Sequence, residues 1–239
     1  MIGQIKIEQQ RRSEMTNLAA MKQPLVSANA EPWLNDNVMD EIADLNAAFL
    51  RLVVTLEGLA PAVCQRILGL PRVEAQRIAE LTSSRFRSMC RCPYSLFSLQ
   101  LDDRRAWETM ARGLMPLPYQ QRPQWYNQEH SQLNDEKISA FMLTALHYIR
   151  HLVLSGTTSA QFVFGIVGGN STTLARIPVS KLQNIAHQCF GLLSVRFANN
   201  PFFWKQLTKN AAIGNDDKLH VAQISGLHLI SSHPQNAAA

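Results

Sequence analysis

The sequence predicts a mainly α-helical protein, two tandem copies of one helical unit with short β-strands, packed together as an intramolecular pseudo-dimer. Three observations predict it. Residues 69–101 lie without gaps on residues 165–197, so that Gly69 falls on Gly165, Ala79 on Ala175, Ser84 on Ser180, Leu96 on Leu192 and Ser98 on Ser194, always 96 positions apart. Apolar character agrees where identity does not, as in Leu81 with Ile177, Phe86 with Leu182 and Met89 with Ile185. Each copy is preceded by an apolar stripe at helical spacing, and each ends in an alternating run, Phe97, Leu99, Leu101 and Leu193, Val195, Phe197. A repeated unit commonly buries its apolar face against its neighbour.

Taken in order, residues 1–34 form a polar arm in which Pro24 and Pro32 interrupt any helix, leaving room for a short one over residues 8–21. The first unit spans 35–112. Val38, Ile42, Leu45, Phe49, Leu52 and Leu56 recur at steps of four and three, one face of a long helix with Asn35 or Asp36 as its cap. So regular a seam implies helix-to-helix association. Residues 61–68 form a second helix ended by Gly69, and 71–81 a third opened by proline, a helix, tight turn and helix. A further helix, 83–92, stops before Pro93, and the period of two that follows is that of a strand. Residues 113–135, with Gly113, Pro116, Pro118 and Pro123 and rich in glutamine, read as a linker.

The second unit, 136–208, opens with Ile138, Met142, Ala145, Ile149 and Leu152. Laying Phe49 on Phe141 puts Lys137 and Thr144 opposite Leu45 and Leu52, and requires about four extra residues before Gly165, so the first helices are read as divergent. Residues 209–239 are a mostly polar tail with a weak apolar stretch over 221–230.

Units of roughly 70–80 residues bury only about 60% of their unfolded surface, so a shared core is favoured. The 239-residue chain is 46% hydrophobic and 17% charged, a globular composition. A net charge of +5 permits nucleic-acid contact without proving it. Cys64, Cys90, Cys92 and Cys189 are too few and too irregular for a disulfide framework, which indicates reduced thiols. No apolar run approaches the length of a membrane span, and residues 1–30 carry Lys6, Arg11 and Arg12 without a hydrophobic segment. The expectation is a cytoplasmic protein that does not engage a membrane.

Candidate chemistry is sparse. His147 and His151 lie four apart on a helix, but nothing of suitable spacing completes a metal set. Cys90 and Cys92 are opposed by Ala186 and Gln188 in the second copy, and Cys90 holds an apolar position. Residues 168–171, Gly-Gly-Asn-Ser, lack the lysine of a phosphate loop and read as a helix-capping turn. No nucleophile elbow or carboxylate pair is found, so no enzyme, cofactor or metal is expected. Arg66, Arg72, Arg77, Arg85, Arg87 and Arg91 are more suggestive, crowded against only Glu74 and Glu80. With a turn at Gly69, Arg72, Gln76 and Arg77 face outward in the manner of a groove-reading helix; the ordinary alternative is a solvated surface.

The segments LNAAFLRLVVTLEGLAP and CQRILGLPRVEAQRIAELTSSRFRSMCRCPYSLFSLQLDD resemble the flagellar master-regulator subunit FlhD, and SAQFVFGIVGGNSTTLARIPVSKLQNIAHQCFGLLSVRF resembles it about as well. The resemblance covers some two thirds of the chain and rests on apolar pattern. It implies two FlhD-like units pairing through Val38, Ile42, Leu45, Phe49, Leu52, Leu56, Phe97, Leu99 and Leu101 in one copy and Ile138, Met142, Ile149, Leu152, Leu193, Val195 and Phe197 in the other. It also implies a non-enzymatic activator of transcription that contacts DNA through Arg66, Arg72, Gln76, Arg77, Arg85, Arg87 and Arg91 and acts with an FlhC-like, zinc-containing partner. Relatives on conjugative elements act as transfer activators, so plasmid transfer fits as well as motility, and further self-association is possible. Phe97 and Leu193 stand where the family often has a linking cysteine, so no such disulfide is implied. Only Arg176 and Lys181 answer the arginine cluster in the second copy, which makes the first the DNA-facing half. The rival is a protein-interaction module, an anti-activator or secretion-system accessory, that never touches DNA.

Overall fold

The stripe from Val38 to Leu56 becomes helix α1, Asp36–Leu59, with Ile42, Phe49, Leu50, Val53 and Leu56 wholly buried. In the computed structural model, which describes residues 36–59, 61–121, 131–156, 158–166 and 168–232, the chain is mainly helical. After α1 come α2 (Pro61–Arg66), α3 (Arg72–Ala79), α4 (Ser83–Cys90), β1 (Phe97–Ser98) and α5 (Arg104–Ala111). A short α6 (Leu117–Gln120) follows. The order then recurs as α7 (Ser131–Leu154), α8 (Thr158–Phe164), α9 (Gly168–Arg176), α10 (Val179–Gln188), β2 (Ser194–Val195) and α11 (Pro201–Ile213), with α12 (Asp216–Ser232) in addition. The described residues form one compact unit.

The two halves are interleaved. β1 pairs antiparallel with β2, Phe97 opposite Val195 and Ser98 opposite Ser194. α1 packs on α7, and at their crossing Phe49, Phe97 and Phe141 meet with ring centroids 5.0–5.6 Å apart. The last helix of each copy lies against the other copy: α5 packs on α9, and α11 on α3 and α4. Equivalent devices hold both. The Asp103 carboxylate accepts from Ala106 N and the Asn200 side chain from Phe203 N, capping the two helices. The Trp107 indole donates to Gln100 O and the Trp204 indole to Arg196 O, at 2.9 and 2.7 Å. Gln100 and Phe197, just ahead of these helices, both have positive φ, 50° and 59°. The caps, the tryptophans and the positive-φ residues are spaced by 97 positions, whereas the indole acceptors Gln100 and Arg196 are still spaced by 96, so a single residue is inserted just after β2.

Several expectations need correction. The first helices match at the same spacing of 96 with no extra residues: buried Ile42, Leu45, Phe49, Leu50, Val53 and Leu56 correspond to buried Ile138, Phe141, Ala145, Leu146, Ile149 and Leu152. Phe49 and Phe141 are neighbours across the helix crossing, not equivalents. The alternating runs are strands over only two residues each, because positive φ at Gln100 and Phe197 turns the chain away; Phe197 accordingly leaves the sheet and is only part-buried. Val38 is also part-buried rather than a core residue. The stretch read as a linker holds α6 and the start of α7, and the stretch read as a tail holds the end of α11 and all of α12. The short helix expected over residues 8–21 lies outside the described residues. No helix among the described residues is long and apolar enough to cross a membrane.

Candidate nucleic-acid interface

The turn that orients α3 depends on Gly69, whose φ of +75° favours glycine and whose α-carbon faces Ala198, where a Cβ would come within 3.3 Å. Leu70 N donates to Cys64 O across this turn. α3 then buries Glu74, Ala75 and Ile78 and leaves Arg72 and Gln76 exposed. Arg72 donates to the largely buried Glu57 (3.3 Å), and Arg77 to Glu74 (3.4 Å). On α4, Arg85 reaches Asp216 at 2.7 Å. Arg87 is exposed, its Nε donating to Ser83 O, and Arg91 is exposed just beyond the helix. Arg66 is exposed at the end of α2. The structure therefore engages Arg72, Arg77 and Arg85 in ion pairs and leaves Gln76, Arg87 and Arg91 toward solvent, the two arginines without a carboxylate partner among the described residues.

Position by position, 96 residues on, the second half presents Thr172, Thr173, Gln183 and His187 where the first has Gln76, Arg77, Arg87 and Arg91. Arg85 is answered by Lys181, and both play one structural part. Lys181 Nζ donates to Ala111 O at the end of α5, and Arg85 lies against Gly214 at the end of α11, each a cation on a helix C-terminus. Arg85 thus also takes part in the packing of the halves. α11, which packs on α3 and α4, carries exposed Lys205 and Lys209. Sequence reading missed both because α11 follows the matched segment of the second copy, although it packs on the first.

Behind this surface, two buried polar groups hold the frame. Asn46 donates to Cys90 O (3.1 Å) and Tyr94 O (2.9 Å) and accepts from Leu96 N (2.7 Å), tying α1 to the segment that links α4 with β1. Arg196 donates to Ser95 Oγ (3.2 Å), Phe162 O (3.3 Å) and Val163 O, with the Tyr94 and Phe197 rings within 6 Å of its guanidinium. Burial pulls its pKa down from the usual range to about 10, against the opposing influence of Tyr94 and Asp102. Tyr94 in turn donates to Gln223 O (2.7 Å), docking α12 on the first half. Neither Asn46 nor Arg196 has a sequence signal; each is a polar residue in an otherwise apolar run.

The remaining candidates are ordinary. His147 and His151 are exposed on α7, and no group of three metal-ligating side chains occurs among the described residues. All four cysteines are free and buried, with Cys64, Cys90 and Cys92 pushed up to about 12 and Cys189 to about 11, in each case chiefly by desolvation. Residues 168–171 begin α9, where the Asn170 amide donates to Leu101 O at 2.6 Å. Comparison with protein-family models, curated proteins and solved structures finds no match.

Proposed function

We propose that this chain is a cytoplasmic, non-enzymatic transcriptional activator subunit of the FlhD-like kind, two FlhD-like units in one chain packed as a pseudo-dimer. It binds DNA through its first half and acts with an FlhC-like partner on conjugative-transfer or motility genes. One observation carries the reading: Arg87 and Arg91 are exposed on and just beyond α4 in the first half, whereas the corresponding residues of the second half are Gln183 and His187. A fold that repeats its packing but not its surface charge points to unequal duties, and clustered cations suit a phosphate backbone. Mobility shift of duplex DNA by the chain, alone and with a co-expressed FlhC-like protein, tests this; a shift in either condition is expected.

A second reading, a protein-interaction module, is favoured by the ion pairs that occupy Arg72, Arg77 and Arg85. Absence of any shift, with a stable complex formed by some other protein, decides for it.

A further inference from the structure

The outer face of α11 carries two of the most exposed large apolar side chains among the described residues. Phe202 is 70% and Ile213 66% exposed, and between them on the same face lie exposed Lys205, Gln206 and Lys209. The spacing of four, three and four residues lines up Phe202, Gln206, Lys209 and Ile213 along one side of the helix, about 16 Å from end to end. α11 contains no acidic residue. Lys205 lies in the N-terminal half, toward the end where the helix field favours negative charge. Neither lysine has a carboxylate partner among the described residues.

The fold does not require this face. The equivalent helix α5 carries Arg105, Glu108, Thr109 and Arg112 at the corresponding positions, and its Glu108 is paired with Arg104 at 2.8 Å. One copy has a solvated surface of arginines with a carboxylate among them and no large apolar side chain, where the other has two large apolar side chains flanking two lysines without a carboxylate partner among the described residues. Apolar ends around a basic centre are complementary to an apolar–acidic–apolar helix, and poorly suited to a phosphate backbone, which offers nothing to cover Phe202 and Ile213.

We infer that the Phe202–Ile213 face of α11 is a docking site for an acidic amphipathic helix of a partner protein, with two apolar side chains eleven residues apart and carboxylates between them. The inference does not rest on the DNA-binding reading, since Arg87 and Arg91 lie on the α4 side and not on this stripe.

The test uses the full chain and a fluorescent, alanine-based helical peptide of about 18 residues, long enough to be helical alone. It carries leucines eleven apart with glutamates four and seven residues after the first. Anisotropy titration is expected to give saturable binding that weakens at least tenfold in Phe202→Ser/Ile213→Ser and in Lys205→Glu/Lys209→Glu. Replacing the peptide glutamates by lysine is expected to restore binding to the charge-reversed variant only. All four positions are exposed, so the fold is preserved, and thermal unfolding of both variants is expected to match that of the parent. Absence of binding, or binding indifferent to both double substitutions, overturns the inference. Displacement of the peptide by duplex DNA assigns the face to nucleic acid, and self-association lost in the same variants assigns it to a second copy; either result also overturns it.

Discussion

Asn46→Ala should be among the most destabilising single substitutions in the first half. Asn46 is fully buried in the middle of α1, and its side chain makes three hydrogen bonds of 2.7–3.1 Å to Cys90 O, Tyr94 O and Leu96 N. Truncation deprives two carbonyls and one amide of these partners at once. Each buried polar group left unsatisfied costs about 1–3 kcal/mol, and partial relaxation or an entering water reduces the sum to about 3–4 kcal/mol. Urea unfolding should register this as a midpoint about 2 M lower with an unchanged slope, for a slope near 2 kcal/mol/M. Met142, 96 positions on, fills the corresponding place with an apolar side chain, so the segment after α10 is held by packing instead. A loss below about 1 kcal/mol would refute the reasoning, since it would mean that residues 90–96 do not depend on α1 for their backbone partners.

Cleavage at a protease site introduced within residues 122–130 should leave the two pieces together on gel filtration, because α5 and α11 are each packed on the other copy and β1 pairs with β2; separation without denaturant would contradict the interleaving. Stability should be full below pH 9 and fall as pH rises toward 11–12, since the folded thiols keep protons that the unfolded ones release. Each thiol contributes about 1 kcal/mol of that loss by pH 10. Arg196, held below its usual range, acts in the opposite direction above pH 10, while Tyr94, Tyr119 and Tyr148, pushed up chiefly by desolvation, begin to add to the loss there, so urea midpoints at pH 8 and pH 10 report chiefly the thiols. A thiol reagent should find no cysteine in the native protein and four after unfolding, and rapid native labelling would refute the burial assigned to them.

The repeat and the helical stripes were legible because apolar spacing is set by burial, and the core positions of α1 and α7 coincide residue for residue once the spacing of 96 is kept. The aromatic identity of Phe49 and Phe141 misled the alignment: residues that touch across an interface can look alike without being equivalent. α5 and α11 were overlooked because their anchors, Trp107 and Trp204, each stand beside polar or charged neighbours and complete the opposite copy. Of the expected DNA-binding residues, charge was readable and pairing was not. Glu57 and Asp216, which engage Arg72 and Arg85, lie 15 and 131 positions away, and only the folded chain brings them together.

The unequal division of duties between the halves is tested most directly by the salt dependence of duplex DNA binding in two variants of equal charge change, Arg87→Ala/Arg91→Ala and Arg105→Ala/Arg112→Ala. The first pair lies on and just beyond α4 and the second on and just beyond α5, which packs on the other half. Loss of two phosphate contacts lowers the slope of log K against log salt by about two units. The account predicts that decrease for the α4 pair and almost none for the α5 pair; equal decreases in both, or none in either, would contradict it.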